Sequence, residues 1–132
     1  MAAVIVQEER LLVVSKQAAP DVFYLPGGKP DPGEGATETL HRELGEELGV
    51  RPVGSHFLAD VAAQAVLEGV PMMMTVFEVG ISQVPHPAAE LADTRWVSSG
   101  ERDVKLAPAV REHVLPLLRQ RGLLAAYDPV RD

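Results

Sequence analysis

Two hydrophobic periods alternate along this 132-residue chain, and the changes between them mark its elements. Ala2 to Gln7 and Leu11 to Lys16 are short runs rich in Val, Ile and Leu, separated by the polar Glu8-Glu9-Arg10, a pattern that predicts a β-hairpin. A third extended piece is expected over Val22 to Leu25. Between Pro26 and Gly35 lie three prolines, four glycines and one aspartate, which excludes helix and sheet and predicts a loop. From Ala36 to Leu48 the period becomes helical, with Leu40, Leu44 and Leu48 on one stripe and Gly49 placed for a left-handed C-terminal cap.

Two longer extended runs follow, His56 to Val66 and Val70 to Val79. Leu67-Glu68-Gly69 joins them, and Gly69 suits a positive-φ turn. They are expected to form the centre of a sheet. Pro85-His86-Pro87 opens an irregular stretch, and Thr94 to Val97 reads as a strand around the single tryptophan. Leu106 to Arg121 predicts a second amphipathic helix, with Val110, Val114, Leu117 and Leu118 on one face. Pro108 suits its first turn, and Pro116 should kink or interrupt its far end. The order strands, helix, strands, helix points to an α/β fold in which helices pack on a mixed sheet rather than a doubly wound parallel one.

Composition narrows the class. With 46% apolar residues the chain suffices for one domain spanning residues 1–132. Twelve basic against nineteen acidic residues give a net charge of −7, with the basic residues scattered, so a nucleic-acid polymer is not the expected partner. A free nucleotide whose charge is carried by a chelated cation remains compatible. The absence of cysteine removes disulfides, thiolate nucleophiles and thiolate metal sites, and fits a reducing compartment, so the cytoplasm is the expected location. No run approaches the length of a membrane span, no signal-peptide pattern opens the chain, and no membrane partner is expected.

The candidate chemistry lies in the loop and first helix. At 100° per residue Glu43, Glu46 and Glu47 fall within an arc of about 100°, and Leu40, Leu44 and Leu48 occupy the neighbouring arc. Carboxylates at these spacings lie roughly 6 Å apart and repel by roughly 2 to 3 kcal/mol per pair at an effective dielectric of about 20. Arg42 can pair within the helix, but one guanidinium does not neutralise three or four carboxylates. A hard divalent cation with oxygen ligands does so more economically. Glu34 can approach the same face from the loop, and the glycines of Pro26-Gly27-Gly28 let the main chain come close to phosphate or metal. Such a site suits Mg²⁺, which keeps several waters, bridges a few carboxylates to substrate phosphates and lowers the pKa of an attacking water.

The stretch Gly28 to Val50 resembles the Nudix box, the loop–helix signature of the Nudix hydrolases, at Gly28, Glu34, Arg42, Glu43, Leu44, Glu46, Glu47, Gly49 and Val50. With a chance of about 7% at each of the seven Gly, Glu and Arg positions, such a match arises about once in 10⁸ starts. Leu25-Pro26-Gly27-Gly28 and the surrounding strand order are also similar to that family. The resemblance implies a Nudix-type α/β/α sandwich with a central mixed β-sheet. It also implies hydrolysis of a diphosphate linkage in a nucleoside triphosphate or nucleoside diphosphate derivative, by water attack at phosphorus, with Mg²⁺ or Mn²⁺ as cofactor. On the same basis Glu43 and Glu47 are expected as main metal ligands, Glu46 as a further ligand or proton acceptor, and the Gly27 carbonyl as another ligand. Arg42 would orient the glutamates, and Glu34 would support the loop or reach metal through water. In parts of the family the general base lies on a loop before the last strand, which here points to Glu90, ahead of Glu78.

Other positions carry weaker signals. Lys29, Gly28, Lys16 and Tyr24 are the candidates for substrate contact, although Phe23 and Tyr24 are better explained by packing. His41, within the helix, reads as a surface residue, and His56, His86 and His113 are dispersed and not expected to be catalytic. Met72, Met73 and Met74 are expected in the sheet core or a pocket wall, Trp96 is expected to be buried, and Ala125 to Asp132 to be a loosely held tail. The competing reading is a catalytically weak nucleotide-sensing or protein-binding module, which would have little use for so much repulsive charge. ADP-ribose, a nucleotide sugar and a non-nucleotide diphosphate are alternative substrates. Prolines and tyrosines at the positions that mark ADP-ribose and dinucleoside-polyphosphate enzymes are missing, which leaves a nucleoside triphosphate or its oxidised form as the leading expectation. Monomer and homodimer are both compatible with the chain.

Overall fold

The computed structural model describes residues 1–64 and 71–125. Among these residues are seven strands, β1 (Ala2–Val4), β2 (Val6–Gln7), β3 (Arg10–Lys16), β4 (Ala19–Tyr24), β5 (Pro52–Gln64), β6 (Pro71–Ile81) and β7 (Leu91–Val97), and one long helix, α1 (Ala36–Leu48). A π-helical turn at Ala109–Val114 runs directly into α2 (Leu115–Gln120). Helices pack on strands in the α/β arrangement that the element order implied.

The first apolar run is not a single strand. β1 pairs in parallel with β6, whereas β2 pairs antiparallel with β3, so the chain passes at Ile5 from a three-stranded sheet ordered β1-β6-β5 to a four-stranded one. In the second sheet β3 is flanked by β7 along one edge and by β2 and β4 along the other. The turn between β2 and β3 places Glu8 and Glu9 at φ 51° and 61°, the left-handed pair that a two-residue hairpin turn requires. The expectation that both long strands would be central needs correction. β6 lies between β1 and β5, while β5 is an edge strand. The turn predicted at Leu67-Glu68-Gly69, the strand ends at Val66 and Val70, the Met72 side chain and the tail beyond Ala125 lie outside the described residues.

β1 and β3 read as unbroken hydrophobic runs because both of their faces are covered. Ala2, Val4, Leu11 and Val13 join the cluster under the C-terminal helical segment, with Phe23, Val97, Val110, Val114 and Leu118. Ala3, Ile5, Leu12 and Val14 join the opposite cluster, with Leu40, Leu44, Leu48 and Val50. The leucine stripe therefore fixes which way α1 faces, and the neighbouring carboxylate arc is set at the rim of the sheet. Two burial expectations fail. Met73 is 63% exposed, and Trp96 is only half-buried against the α1 cluster, because β6 and β7 each turn one face towards solvent.

The C-terminal helix begins later than its pattern suggested. Leu106 bridges to Phe23, and Ala107 donates to the Phe23 carbonyl, so these residues extend the sheet. Pro116 offers no N–H and would crowd the preceding turn of an α-helix, and the wider π turn before it accommodates that disruption without stopping the helix. Among the described residues no helix is long and apolar enough to cross a membrane.

Candidate active site

The loop from Pro26 to Gly35 is held by main-chain bonds at one end and by a guanidinium at the other. Ala3 N–H donates to the Pro26 carbonyl at 2.9 Å, and Gly28 N–H donates to the Met1 carbonyl at 3.0 Å. This close approach requires glycine at position 27, where φ is 140° and an added Cβ would stand 2.2 Å from the Met1 carbonyl oxygen. At Gly28 an added Cβ would lie 2.4 Å from the Glu43 carboxyl carbon, so the Glu43 carboxylate rests directly against the loop.

Arg42 joins loop to helix. Its Nε and Nη2 donate to the two oxygens of Glu34 at 2.7 and 2.9 Å, its Nη1 to Glu43 Oε1 at 2.7 Å, and its Nη2 also to the Lys29 carbonyl at 3.0 Å. Glu34 further accepts from Asp31 N–H at 2.8 Å, and Thr39 Oγ1 lies 3.1 Å from it. The hydrogen bond from Arg42 and then that from Asp31 hold the Glu34 carboxyl down at about 2. Glu34 is thus a fixed counter-charge that keeps the loop folded on α1. Asp31 and Glu46 stand further from the same guanidinium, at 3.2 and 3.7 Å.

Glu47 is in a different environment. It is 4% exposed, and its Oε1 accepts from Gly27 N–H at 3.1 Å. Burial pushes its carboxyl up to about 7, and the negative charges of Glu43 and Glu90 push in the same direction, while the Gly27 bond and Lys16 oppose them. Lys16 lies 3.9 Å from Glu90 and 5.8 Å from the centroid of the Tyr24 ring. The segment before β7 is strapped to the end of α1 by His86 N–H to the Leu48 carbonyl and Ala88 N–H to the Glu47 carbonyl. Gln17 N–H then takes the Glu90 carbonyl at 2.9 Å. Residues far apart in sequence are thereby gathered at one end of the second sheet: Gly27, Gly28, Glu43, Glu47, Lys16, Tyr24 and Glu90.

Other candidates stand apart from this group. The Lys29 side chain is exposed, and the residue's described contact is its carbonyl bond to Arg42. Glu46 has a side chain 57% exposed on the outer flank of the helix. Glu78 is half-buried on β6, in register with Val4 and His56. All four histidines are exposed, and Phe23 is core. The N–H of Gly27 as a partner for Glu47, and the approach of Lys16 to Glu90, were not visible in the sequence. Only the position of Glu90 shortly before a predicted strand hinted at them.

The donor set fits a hard cation: carboxylate oxygens of Glu43 and Glu47 stand beside a glycine main chain with no Cβ to obstruct it, and Glu46 is exposed on the same helix. Among the described residues no three acidic or histidine side chains already converge on one point, since Arg42 draws Glu43 one way and Gly27 holds Glu47 another. A cation would be held by releasing these carboxylates from their present partners.

Comparison with known proteins places these features in context. A family model described as NUDIX domain matches residues 1–118. A protein of Bacillus subtilis (strain 168) named "Putative 8-oxo-dGTP diphosphatase" is 26% identical over 132 residues, covering 92% of this chain and 87% of the relative. The MutT NUDIX hydrolase from Burkholderia pseudomallei superposes with a TM-score of 0.76 at 25% identity, covering 89% of this chain and 94% of that one. The E. coli ORF135 protein superposes with a TM-score of 0.69 at 26% identity, covering 97% and 90%.

Proposed function

The chain belongs to the Nudix hydrolase family, and from that premise we propose that it is a magnesium-dependent pyrophosphohydrolase acting on a nucleoside triphosphate, with an oxidised purine triphosphate as the leading substrate. The observation that carries this reading is the Glu47 carboxylate, 4% exposed, with the charges of Glu43 and Glu90 near it and its proton affinity raised to about 7. Such crowding costs stability in the free protein and is relieved when a cation takes the carboxylate oxygens. The name of the Bacillus subtilis relative supports the choice of an oxidised guanine nucleotide.

Glu43 and Glu47 would hold the metal, with Glu46 and the Gly27 carbonyl completing the oxygen set. Bound magnesium polarises phosphoryl oxygens and lowers the pKa of a water at the site. Arg42 acts by orientation, since it fixes Glu43 and, through Glu34, the loop that supplies Gly27 and Gly28. Glu90, exposed and beside Lys16, is the proton acceptor for the attacking water. As the new oxygen–phosphorus bond forms, the bridging phosphorus–oxygen bond breaks and the electron pair leaves with the departing group. A triphosphate yields a monophosphate and pyrophosphate when attack is at the α-phosphorus. Lys16 supplies positive charge to the phosphates, and Tyr24 forms part of the adjoining wall.

The test is initial-rate hydrolysis with magnesium of ordinary and oxidised nucleoside triphosphates, ADP-ribose, nucleotide sugars and dinucleoside polyphosphates, with products identified by mass. Preferential conversion of an oxidised triphosphate to its monophosphate is expected. Turnover of ADP-ribose or a nucleotide sugar alone would replace the substrate assignment. No turnover of any member by folded, metal-loaded protein would remove the enzymatic reading.

A further inference from the structure

A concave site lies at the other end of β7 from Glu90. The loop that follows the strand and the C-terminal helical segment enclose a cavity of about 220 Å³ lined by Ser99, Gly100, Arg102, Arg111, Leu115 and Arg119. β7 spans Leu91–Val97, so at about 3.3 Å per residue roughly 20 Å separates this cavity from Glu90. Half of its lining residues are arginines and none is acidic, in a chain whose net charge is −7.

The guanidinium groups are oriented by the main chain. Arg111 donates to the carbonyls of Glu101 and Val104 at 2.8 and 3.3 Å, and Arg119 donates to the Ser99 carbonyl at 2.9 Å. A guanidinium has five N–H donors, so these bonds fix the forks without exhausting them. Neither Arg111 nor Arg119 forms an ion pair with a carboxylate among the described residues. Glu101, adjacent to the cavity in sequence, turns its carboxylate onto the N–H groups of Asp103 and Val104. Arg111, Leu115 and Arg119 follow one another at four-residue steps along one side of the helical segment, and Arg102 approaches from the loop.

We propose that this cavity binds a small phosphate-bearing anion at a site separate from the Glu43–Glu47 carboxylate site. Planar guanidinium forks match the oxygens of a phosphoryl group in pairs, and a group with two or more negative charges answers the two forks of Arg111 and Arg119 better than a single carboxylate does. Binding here does not depend on the catalytic reading, because none of the lining residues belongs to the carboxylate site.

The experiment is an amide-resolved NMR titration of the full chain with inorganic pyrophosphate, then inorganic phosphate, in the presence of EDTA. Saturable shifts are expected at Ser99, Gly100 and the amides flanking Arg111 and Arg119, and pyrophosphate should bind more tightly than phosphate. Replacing Arg111 and Arg119 together by Gln should weaken pyrophosphate binding about ten-fold or more, whereas Glu47→Gln should leave it unchanged. Shifts confined to Gly27, Gly28 and Lys16, or no saturation in the wild-type chain, would overturn the proposal without reference to any variant.

Discussion

Replacing Glu47 by Gln should make the metal-free protein more stable and the enzyme inactive. The side chain is 4% exposed, and its carboxyl is raised from 4.5 to about 7, first by burial and then by Glu43 and Glu90. At 1.36 kcal/mol per pH unit the interval corresponds to about 3 kcal/mol of penalty for the ionised form. Because the folded value lies above the unfolded one, the penalty is fully present above about pH 7, shrinks as the pH falls, and is gone below about pH 4.5. Glutamine carries no charge, and its amide oxygen can still accept from Gly27 N–H, so the substitution removes the penalty and keeps the bond. Allowing for relaxation of the side chain, a gain of about 1 to 3 kcal/mol translates to a rise of roughly 4 to 10 °C in Tm for a chain of this length. The assay is thermal unfolding in EDTA at about pH 8.5 and about pH 5, wild type against variant, beside turnover with magnesium at the higher pH. The variant should melt higher at about pH 8.5, the difference should narrow at about pH 5, and kcat should fall by about three orders of magnitude. A variant that melts at or below the wild type at about pH 8.5 would refute the reasoning, and so would a gap of constant size at both pH values.

Gly28→Ala should leave the fold intact, because the colliding atoms belong to the far end of the Glu43 side chain rather than to backbone, yet lower kcat by about 100-fold as that carboxylate is displaced; circular dichroism and initial rates separate the two effects. Glu34, held at about 2 chiefly by Arg42, contributes stability that is fully present above its ordinary value of 4.5 and is lost as the pH falls towards 2. A carboxyl NMR titration should therefore find Glu34 still ionised at about pH 3 in the wild type, and returned to the ordinary carboxylate range in Arg42→Ala. Leu44→Ala should cost about 2 to 5 kcal/mol in denaturant unfolding, since that side chain is fully buried in the α1 cluster and the cavity cannot close against two sheets.

Local pattern was sufficient wherever short-range geometry decides the outcome. α1 occupies Ala36–Leu48 as its leucine stripe predicted, and Gly49 caps it at φ 68°. The spacing of the glutamates placed Glu43 and Glu47 beside that stripe without any knowledge of what lay opposite. Strand partners were less legible. Ala2 to Gln7 looks uniform in sequence, yet it divides between two sheets, because parallel pairing with β6 depends on a strand more than 70 residues away. β5 and β6 both read as long extended runs, and only the position of β1 leaves one at the edge and the other in the centre.

The sequence by itself determined the helix, the loop before it and the carboxylate-rich signature that joins them, since each follows from periodicity, backbone restriction or charge spacing within some twenty residues. Tertiary structure alone decided that Glu47 would be buried under Gly27 N–H while its neighbour Glu46 stays in solvent. It also decided that Lys16 would meet Glu90, and that three arginines dispersed between positions 102 and 119 would enclose one cavity. The physical reason is the range of the forces involved. Propensity and side-chain period act over a few residues, whereas desolvation and charge pairing depend on which surfaces packing brings together.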